Sequence, residues 1–184
     1  MSANRGTIRV ALAGLGAVGM KLASALQEGI AGLQLTAVSA NDRSKAETRL
    51  AEMGIHVPVV AIDQLEPLAD LVVECAPAQL LPAIAEPFLK NGKSVIVLSA
   101  GALLTNMQLI DLARSTGGQI IVPTGALIGL DAVTAAAQGK IMSVRMTTRK
   151  PVKGLVGAPY LEEHKIDIES IKEPLRIFSG TPRE

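Results

Sequence analysis

The chain has 184 residues, and its 18 lysines and arginines nearly balance its 17 aspartates and glutamates, leaving a formal net charge of +1. That balance, with an aromatic content of 2%, argues against a nucleic-acid binder, which needs a basic surface and, for single strands, rings on which bases stack. No apolar run reaches the roughly 18–20 residues of a membrane-spanning helix. The single cysteine, Cys75, permits no intrachain disulfide and favours a cytoplasmic location.

Short apolar segments alternate with amphipathic segments from residue 8 to about residue 122. Alternation of buried strands with helices is typical of a parallel sheet covered on both faces. The sequence therefore predicts a doubly wound α/β domain over residues 1–122. In chain order, its predicted elements are a strand over Ile8–Ala13, a helix over Val18–Glu28, a strand over Leu33–Ser39, a helix over Ser44–Met53, a short strand or edge over Val57–Ala61, a strand over Leu71–Cys75, a helix over Leu80–Leu89 that Pro82 and Pro87 interrupt, a strand over Ser94–Ser99, a helix over Asn106–Thr116 and a strand over Gln119–Val122.

The pattern changes after Pro123. The sequence there predicts a small-residue helix over Leu130–Gln138, an alternating strand over Met142–Thr148, a charged loop over 149–174 and a strand over Leu175–Phe178. Two strands and one helix bury a sheet face poorly. We therefore expect residues 123–184 to be the incomplete start of a second, α+β domain that carries the substrate site.

Three glycines, Gly14, Gly16 and Gly19, follow the first predicted strand and open the first predicted helix. In this context the spacing is typical of a dinucleotide-binding turn. The first glycine permits a tight turn, the second lets the backbone approach a pyrophosphate, and the third lets the helix pack closely on the strand. Ala17 and Val18 lie in the first helical turn, whose free N–H groups and positive dipole favour phosphate. The motif predicts a Rossmann-type domain that binds NAD or NADP.

The choice between NAD and NADP depends on the residues that follow the second predicted strand. An NAD site usually has Asp or Glu at the strand end, where it binds the ribose 2′-hydroxyl, but here that position matches Ala40. Asp42 could still reach the ribose, whereas Asn41, Arg43 and Ser44 could hold a 2′-phosphate. Arg43 is equally consistent with a solvated residue at the start of a helix. The sequence thus predicts a site that tolerates NADP and leaves the preference open.

Small residues follow three of the strands, where the carboxyl ends of a parallel sheet form a ligand crevice. Those expected beside the cofactor are Cys75, Ala76, Ser99 and Gly101. We interpret Cys75 as a small packed residue rather than a nucleophile, because neither histidine, His56 or His164, is near it in sequence. The sequence contains no metal-ligand spacing.

Five motifs occur along the chain in a characteristic order. They are V-V-E-C-A over 72–76, V-L-S-A-G-A-L over 97–103, P-T-G-A-L-I-G-L-D-A over 123–132, T-T-R-K-P over 147–151 and I-F-S-G-T over 177–181. In this order they resemble the L-aspartate dehydrogenase family over essentially the whole chain. The resemblance implies NAD(P)-dependent oxidative deamination of L-aspartate to iminosuccinate or oxaloacetate, linked to NAD biosynthesis, and it places Ala126 against the cofactor. The partners we expect are this small-molecule substrate and a second copy of the chain in a homodimer, with no nucleic acid and no membrane.

A dicarboxylate substrate needs cationic groups, and arginine offers a bidentate fork for a carboxylate. Arg149 and Lys150 are therefore candidate substrate-binding residues, and Thr124 of the crevice segment is a third candidate. A solvated basic edge of a strand explains the two cations equally well. Lys150 is the stronger candidate because it falls in a family-like motif.

The family's later cofactor-binding asparagine and its catalytic histidine have no counterpart in this sequence. Neither His56 nor His164 matches the position of that histidine, so no catalytic residue is assigned. We expect the chain to be a fragment or to be completed by another chain. Two alternatives remain: another amino-acid or dihydrodipicolinate-type reductase, and a non-catalytic module that binds a nicotinamide dinucleotide.

Overall fold

The computed structural model describes residues 6–125, 129–168 and 170–181. The chain divides into two compact units, Met1–Ala126 and Leu127–Glu184. The first unit contains β1 (Ile8–Ala13), α1 (Ala17–Gly29), β2 (Leu33–Ser39), α2 (Arg43–Glu52), β3 (Leu71–Glu74), α3 (Leu81–Lys90), β4 (Ser94–Val97), α4 (Gln108–Thr116) and β5 (Gln119–Ile121). The second unit contains α5 (Leu130–Ala136) and α6 (Pro159–Glu163).

The five strands form one parallel sheet in the order β2-β1-β3-β4-β5. A parallel bridge between Val38 and Val59 adds a minimal strand beyond β2; Val38 N–H donates to the Pro58 carbonyl oxygen over 3.0 Å, and Val60 N–H donates to the Val38 oxygen over 2.9 Å. Counted as a strand, this bridge makes six strands in the order 3-2-1-4-5-6 of dinucleotide-binding sheets, which reverses at β1. The predicted doubly wound fold is confirmed, and the edge predicted over Val57–Ala61 is reduced to this bridge.

Alternate side chains of the strands pack on opposite faces of the sheet. Val10 and Leu12 lie in a core with residues of α1 and α2, whereas Ala11 and Val95 lie in a second core with residues of α3 and α4. Phe88 of α3 is 1% exposed in that second core. Burial on both faces explains why these strands read as continuous apolar runs.

The helices of the first unit begin and end within two residues of their predicted bounds. The Asp42 carboxylate caps α2 by accepting the Lys45 N–H over 3.0 Å, and Gly117 ends α4 in the left-handed region, at φ 77°. The interruption expected in α3 is wrong, because the helix is continuous from Leu81 to Lys90. Pro82 occupies the first turn, where no N–H is needed, and the helix absorbs the single bond that Pro87 removes.

The second unit has little buried apolar surface, with Leu161 buried and most other described side chains exposed. The strands predicted over Met142–Thr148 and Leu175–Phe178 are wrong, because neither segment pairs with another in the described residues. Met142, for example, is 82% exposed. Alternating polarity makes a segment compatible with a strand, but a strand forms only where a neighbouring ladder takes its N–H and C=O groups.

Candidate functional site

A cleft of about 920 Å³ opens in the first unit, at the carboxyl ends of β1, β2 and β3. Gly14 N–H donates to the Ser39 carbonyl oxygen over 2.8 Å, and Cys75 N–H donates to the Ala13 oxygen over 2.8 Å. The three strand ends are therefore tied together where the strand order reverses, which is where open α/β sheets bind ligands. The cleft is lined by Gly14, Leu15, Gly16, Ser39, Ala40, Asn41, Asp42, Lys45, Ala46, Arg49, Ala61, Ile62, Asp63, Cys75, Ala76, Pro77, Gln79, Leu80 and Ala83.

Two glycines of the turn between β1 and α1 are required by close backbone contacts. Gly14 has φ 108°, and a Cβ placed there would collide with the carbonyl oxygen of Cys75. A Cβ on Gly19 would collide with the carbonyl oxygen of Gly14. Only glycine therefore lets α1 start so close to the end of β1.

The middle glycine has a different environment. A Cβ on Gly16 would meet no atom within 4 Å, and its φ of −79° is accessible to any residue. The open space beside it belongs to the cleft. Gly16 is also the N-cap of α1 and provides no side-chain cap, so the N–H groups of the first turn, at Ala17 and Val18, are left for a ligand. A pyrophosphate fits this cradle, which a side chain would fill.

The loop after β2 lines the cleft through Asn41 and Asp42, but Arg43 does not reach it. The Arg43 Nε lies 2.8 Å from Oε1 of Glu47, one helical turn along α2, and the arginine side chain is 71% exposed. The structure thus places Arg43 as a solvated residue at the start of a helix.

Two other cations of α2, Lys45 and Arg49, do line the cleft. Neither was predicted from the sequence, although their spacing of four residues indicates one helix face. Asp63 adds a second carboxylate to that of Asp42. The β2 side of the cleft therefore presents two cations and two carboxylates.

Cys75 is half-buried and lines the cleft next to Ala76. Burial, with a smaller contribution from the nearby Glu74 carboxylate, raises the pKa of its thiol to about 11. The thiol is therefore neutral near pH 7, which suits a packed residue and not an activated nucleophile.

The segment after β4 contacts Glu74 instead of lining this cleft. Glu74, at the end of β3, is fully buried, and its Oε2 accepts the N–H groups of Leu98 and Ser99 over 3.1 and 2.8 Å. Gly101 is exposed, with no atom within 4 Å of an added Cβ. The role of Glu74 was not predicted, because its partners lie about 24 residues further along the chain.

The candidate substrate-binding residues lie in both units. Thr124 is exposed after β5, and Arg149 and Lys150 are exposed in the irregular segment before Pro151. Ala126 lies outside the described residues.

Both histidines are exposed. The ring of His164 stacks on Tyr160 with centroids 4.0 Å apart. Within the described ranges, no group of three His, Cys, Asp or Glu side chains could hold a metal ion. None of the helices in those ranges combines the length and apolar character of a membrane span.

Two family models match the chain. Residues 14–123 match the NAD binding domain of homoserine dehydrogenase, and residues 131–184 match the C-terminal part of aspartate dehydrogenase. The chain is 54% identical over 177 residues to the L-aspartate dehydrogenase of Bradyrhizobium diazoefficiens, covering 96% of this chain and 63% of that protein. It is 51% identical to L-aspartate dehydrogenase 3 of Bordetella bronchiseptica, covering 98% and 66%, and 34% identical to the L-aspartate dehydrogenase of Methanosarcina mazei, covering 96% and 67%. The chain thus spans about two thirds of the length of these curated relatives.

Among solved structures, the chain is similar to the biliverdin reductase of Synechocystis, determined in complex with biliverdin and NADP+. The TM-score is 0.57 at 26% identity, and the match covers 72% of this chain and 42% of that protein. This similarity supports the doubly wound, dinucleotide-binding fold of the first unit.

Proposed function

Because this chain belongs to the L-aspartate dehydrogenase family, we propose that it is the dinucleotide-binding part of an enzyme that oxidatively deaminates L-aspartate with NAD or NADP. In that reaction L-aspartate loses a hydride from Cα to the bound dinucleotide and a proton from its amino group, which yields iminosuccinate. Water then replaces the imine nitrogen to give oxaloacetate and ammonia. This deamination to iminosuccinate or oxaloacetate would link the enzyme to NAD biosynthesis.

The observation that carries the proposal is the contrast among the three glycines of the β1–α1 turn. Gly14 and Gly19 are required by backbone contacts, whereas Gly16 faces open space at the start of α1. Folding alone requires Gly14 and Gly19 but does not require Gly16. A ligand with phosphate groups, which accept hydrogen bonds from the free N–H groups of α1, requires all three.

The remaining cofactor contacts follow from the position of that turn. The ribose of the adenosine half would lie beside Asn41, and the nicotinamide would extend past Cys75 and Ala76 toward Ser99 and Gly101. Small side chains and a neutral thiol leave room for a flat ring against the backbone. The family resemblance adds Ala126 to this set.

The substrate proposal depends on cations. L-aspartate has two carboxylates, and Arg149 and Lys150 are exposed donors in a segment that resembles the family motif. Thr124 supplies a hydroxyl from the segment after β5. Each of these residues is proposed individually as a contact of the substrate.

We further propose a cytoplasmic homodimer. The single cysteine, with no disulfide to form, supports a reducing compartment. Met142, Val144 and Met146 are 82%, 63% and 67% exposed, and a second copy of the chain would shield them from water.

Calorimetric titration of the 184-residue chain with NADH and NADPH tests the cofactor site. We expect Gly16→Val to weaken binding of both about 10-fold or more, because the valine occupies the pyrophosphate space and blocks charge-assisted hydrogen bonds. Gly6→Val is the matched control, since Gly6 also has no atom within 4 Å of an added Cβ and precedes β1, at the opposite end of the sheet. Equal affinities in wild type and Gly16→Val would refute the site.

Oxaloacetate titrated into the NADH-saturated protein tests the substrate class without turnover, because no ammonia is present. We expect Lys150→Met to weaken oxaloacetate binding about 10-fold while NADH affinity is unchanged. Lys172→Met, at another exposed lysine of the second unit, is the control. Tighter binding of pyridine-2,6-dicarboxylate than of oxaloacetate would instead favour a dihydrodipicolinate-type reductase.

A further inference from the structure

We propose that Lys45 and Arg49 together form a 2′-phosphate subsite that adapts the cleft to NADP. This inference deepens the proposed function and depends on it. Arg43, for which a phosphate contact was one of two alternatives, does not line the cleft, whereas Lys45 and Arg49, one helical turn apart on α2, do.

The charged side chains of α2 lie on two sides of the helix. With 100° between successive residues, Lys45 and Arg49 lie on one side of the helix, whereas Arg43 and Glu47 lie on the other, about 160° away. The Arg43 guanidinium is held on its own side by Glu47, at 2.8 Å. Only the Lys45 and Arg49 side of the helix contributes cations to the cleft.

Arg49 has a positive charge that no anion neutralises in the described residues. Its side chain is partly buried, and across the described residues neither an ion pair nor a hydrogen bond of its guanidinium is present. A partly desolvated guanidinium without an anionic partner binds a phosphate favourably, with fork geometry that matches two phosphate oxygens. Lys45, one turn earlier, adds a second positive charge beside the same volume.

An acidic side chain beside the ribose would select NAD instead of NADP. An NAD site places its acid at the end of the second strand, where this chain has Ser39 and Ala40. Asp42 follows two residues later, but its Oδ1 is engaged in capping α2 through the Lys45 N–H. Asp63 also lines the cleft and is exposed. The charge-assisted hydrogen bonds of a 2′-phosphate with two cations are therefore expected to contribute more to binding than a hydrogen bond between a ribose hydroxyl and either carboxylate.

The experiment compares 2′,5′-ADP with 5′-AMP, which differ only in the 2′-phosphate, and NADPH with NADH. Arg49→Gln and Lys45→Met are each expected to lower the affinity for 2′,5′-ADP and for NADPH about 10-fold, whereas the affinities for 5′-AMP and NADH should change by less than about 2-fold. Arg49→Lys should keep part of the affinity that Arg49→Gln loses, because a point charge remains without the fork. Arg43→Met, which removes a cation from the same helix, is the matched control and should leave all four affinities unchanged.

Two results would overturn the inference. One is a selective loss of 2′,5′-ADP affinity in Arg43→Met with Lys45→Met and Arg49→Gln unchanged. The other is a selective loss of NADH affinity in Asp42→Asn with the two cation variants unchanged, which would identify an NAD site. If wild type binds neither NADH nor NADPH, the proposed function itself fails, and this outcome is distinct from both.

Discussion

The buried carboxylate of Glu74 holds Ser99 through two hydrogen bonds, one from the Ser99 N–H over 2.8 Å and one from its hydroxyl over 3.0 Å. A third hydrogen bond comes from the N–H of Leu98. Glu74 is fully buried and ends β3, whereas Ser99 follows β4. The pair therefore fixes how the chain leaves two neighbouring strands at the end of the sheet where the cleft opens.

Removing this carboxylate should destabilise the first unit. We expect Glu74→Ala to lower the free energy of unfolding by about 3 kcal/mol, because it leaves three donors without their charged acceptor. Glu74→Gln should cost about 1 kcal/mol, since its carbonyl still accepts the two N–H groups.

Urea unfolding measures both changes. Glu86→Ala is the control, because Glu86 contacts Lys90 in an exposed pair on α3 that contributes less than about 1 kcal/mol. A cost for Glu74→Ala no larger than that of Glu86→Ala would show that the buried carboxylate is not structurally important.

Substitutions at two glycines of the β1–α1 turn should have different effects on stability and on cofactor binding. An exposed Gly→Ala change inside a helix normally stabilises by about 0.5–1 kcal/mol. At Gly19 we expect the opposite sign, a loss of about 2 kcal/mol or more, because the new Cβ collides with the Gly14 carbonyl oxygen and backbone cannot move aside cheaply.

Gly16→Ala is the companion variant, and its unfolding free energy should change by less than about 1 kcal/mol. Its cofactor affinity should nevertheless fall. Thermal and urea unfolding give the stabilities, and stabilisation by Gly19→Ala would contradict the close packing of α1 on the turn.

β1 and Arg43 show which features of the structure can be predicted from the sequence and which cannot. The bounds of β1 were predicted correctly because burial on both faces leaves an uninterrupted apolar run between polar and glycine residues. The sequence left two alternatives open for Arg43, a phosphate contact and a solvated start of a helix, because its side chain is directed by Glu47 only in the folded helix. Local pattern determines elements, whereas the direction of a long polar side chain depends on its neighbours in space.

The same limit applies to residues that act over long sequence separations. Glu74 is a charged residue inside an apolar run, and only the pairing of β3 with β4 brings it to Ser99. Met142–Thr148 shows the converse, since its alternation is real but no partner strand in the described residues takes it up. Lys45 and Arg49 belong with Glu74, because their role depends on the cleft that β1, β2 and β3 form.

The Cys75 thiol should react slowly with alkylating reagents. Burial, and secondarily the Glu74 carboxylate, raises its pKa to about 11, well above the ordinary value of about 8.5. We therefore expect the alkylation rate to increase up to about pH 11 and to be far below that of a free thiol at pH 8. Glu74→Gln should lower the pKa of the thiol only in part, because burial is the larger cause.

The raised pKa also affects stability at alkaline pH. The unfolded thiol loses its proton first, so the contribution of Cys75 is fully present below about pH 8.5 and is lost as the pH rises toward 11. Cys75→Ala removes this dependence while other titrating groups remain. The stability difference between wild type and Cys75→Ala should therefore decrease over this range, and a constant difference would contradict the raised pKa.

The amino ends of β1 and β3 are joined by Arg9 and Asp70, whose ion pair should make stability depend on acid pH. Arg9 Nε lies 3.1 Å from Asp70 Oδ2, and a second guanidinium nitrogen lies 2.6 Å from Oδ1. The Asp70 N–H donates to the Arg9 carbonyl oxygen over 2.8 Å. The hydrogen bonds from the Arg9 side chain, and then its backbone N–H, lower the pKa of Asp70.

A carboxyl group with a lowered pKa stabilises the folded chain above its unfolded pKa of about 3.9, and this contribution is lost as the pH falls through the lower folded value. Asp70→Asn should therefore unfold at a lower temperature than wild type at pH 7. The gap should stay constant down to about pH 5 and then close below about pH 4. Because both side chains are more than 40% exposed, added salt should also narrow the difference in melting temperature.

Asp111→Asn is the control, since the Asp111 carboxylate lies 3.4 Å from Arg114 and both side chains are 77% exposed. Melting temperatures measured from pH 7 to pH 3 check the expectation, and a gap that persists unchanged at pH 3 would show that Asp70 stabilises the strand ends by packing and not through its charge.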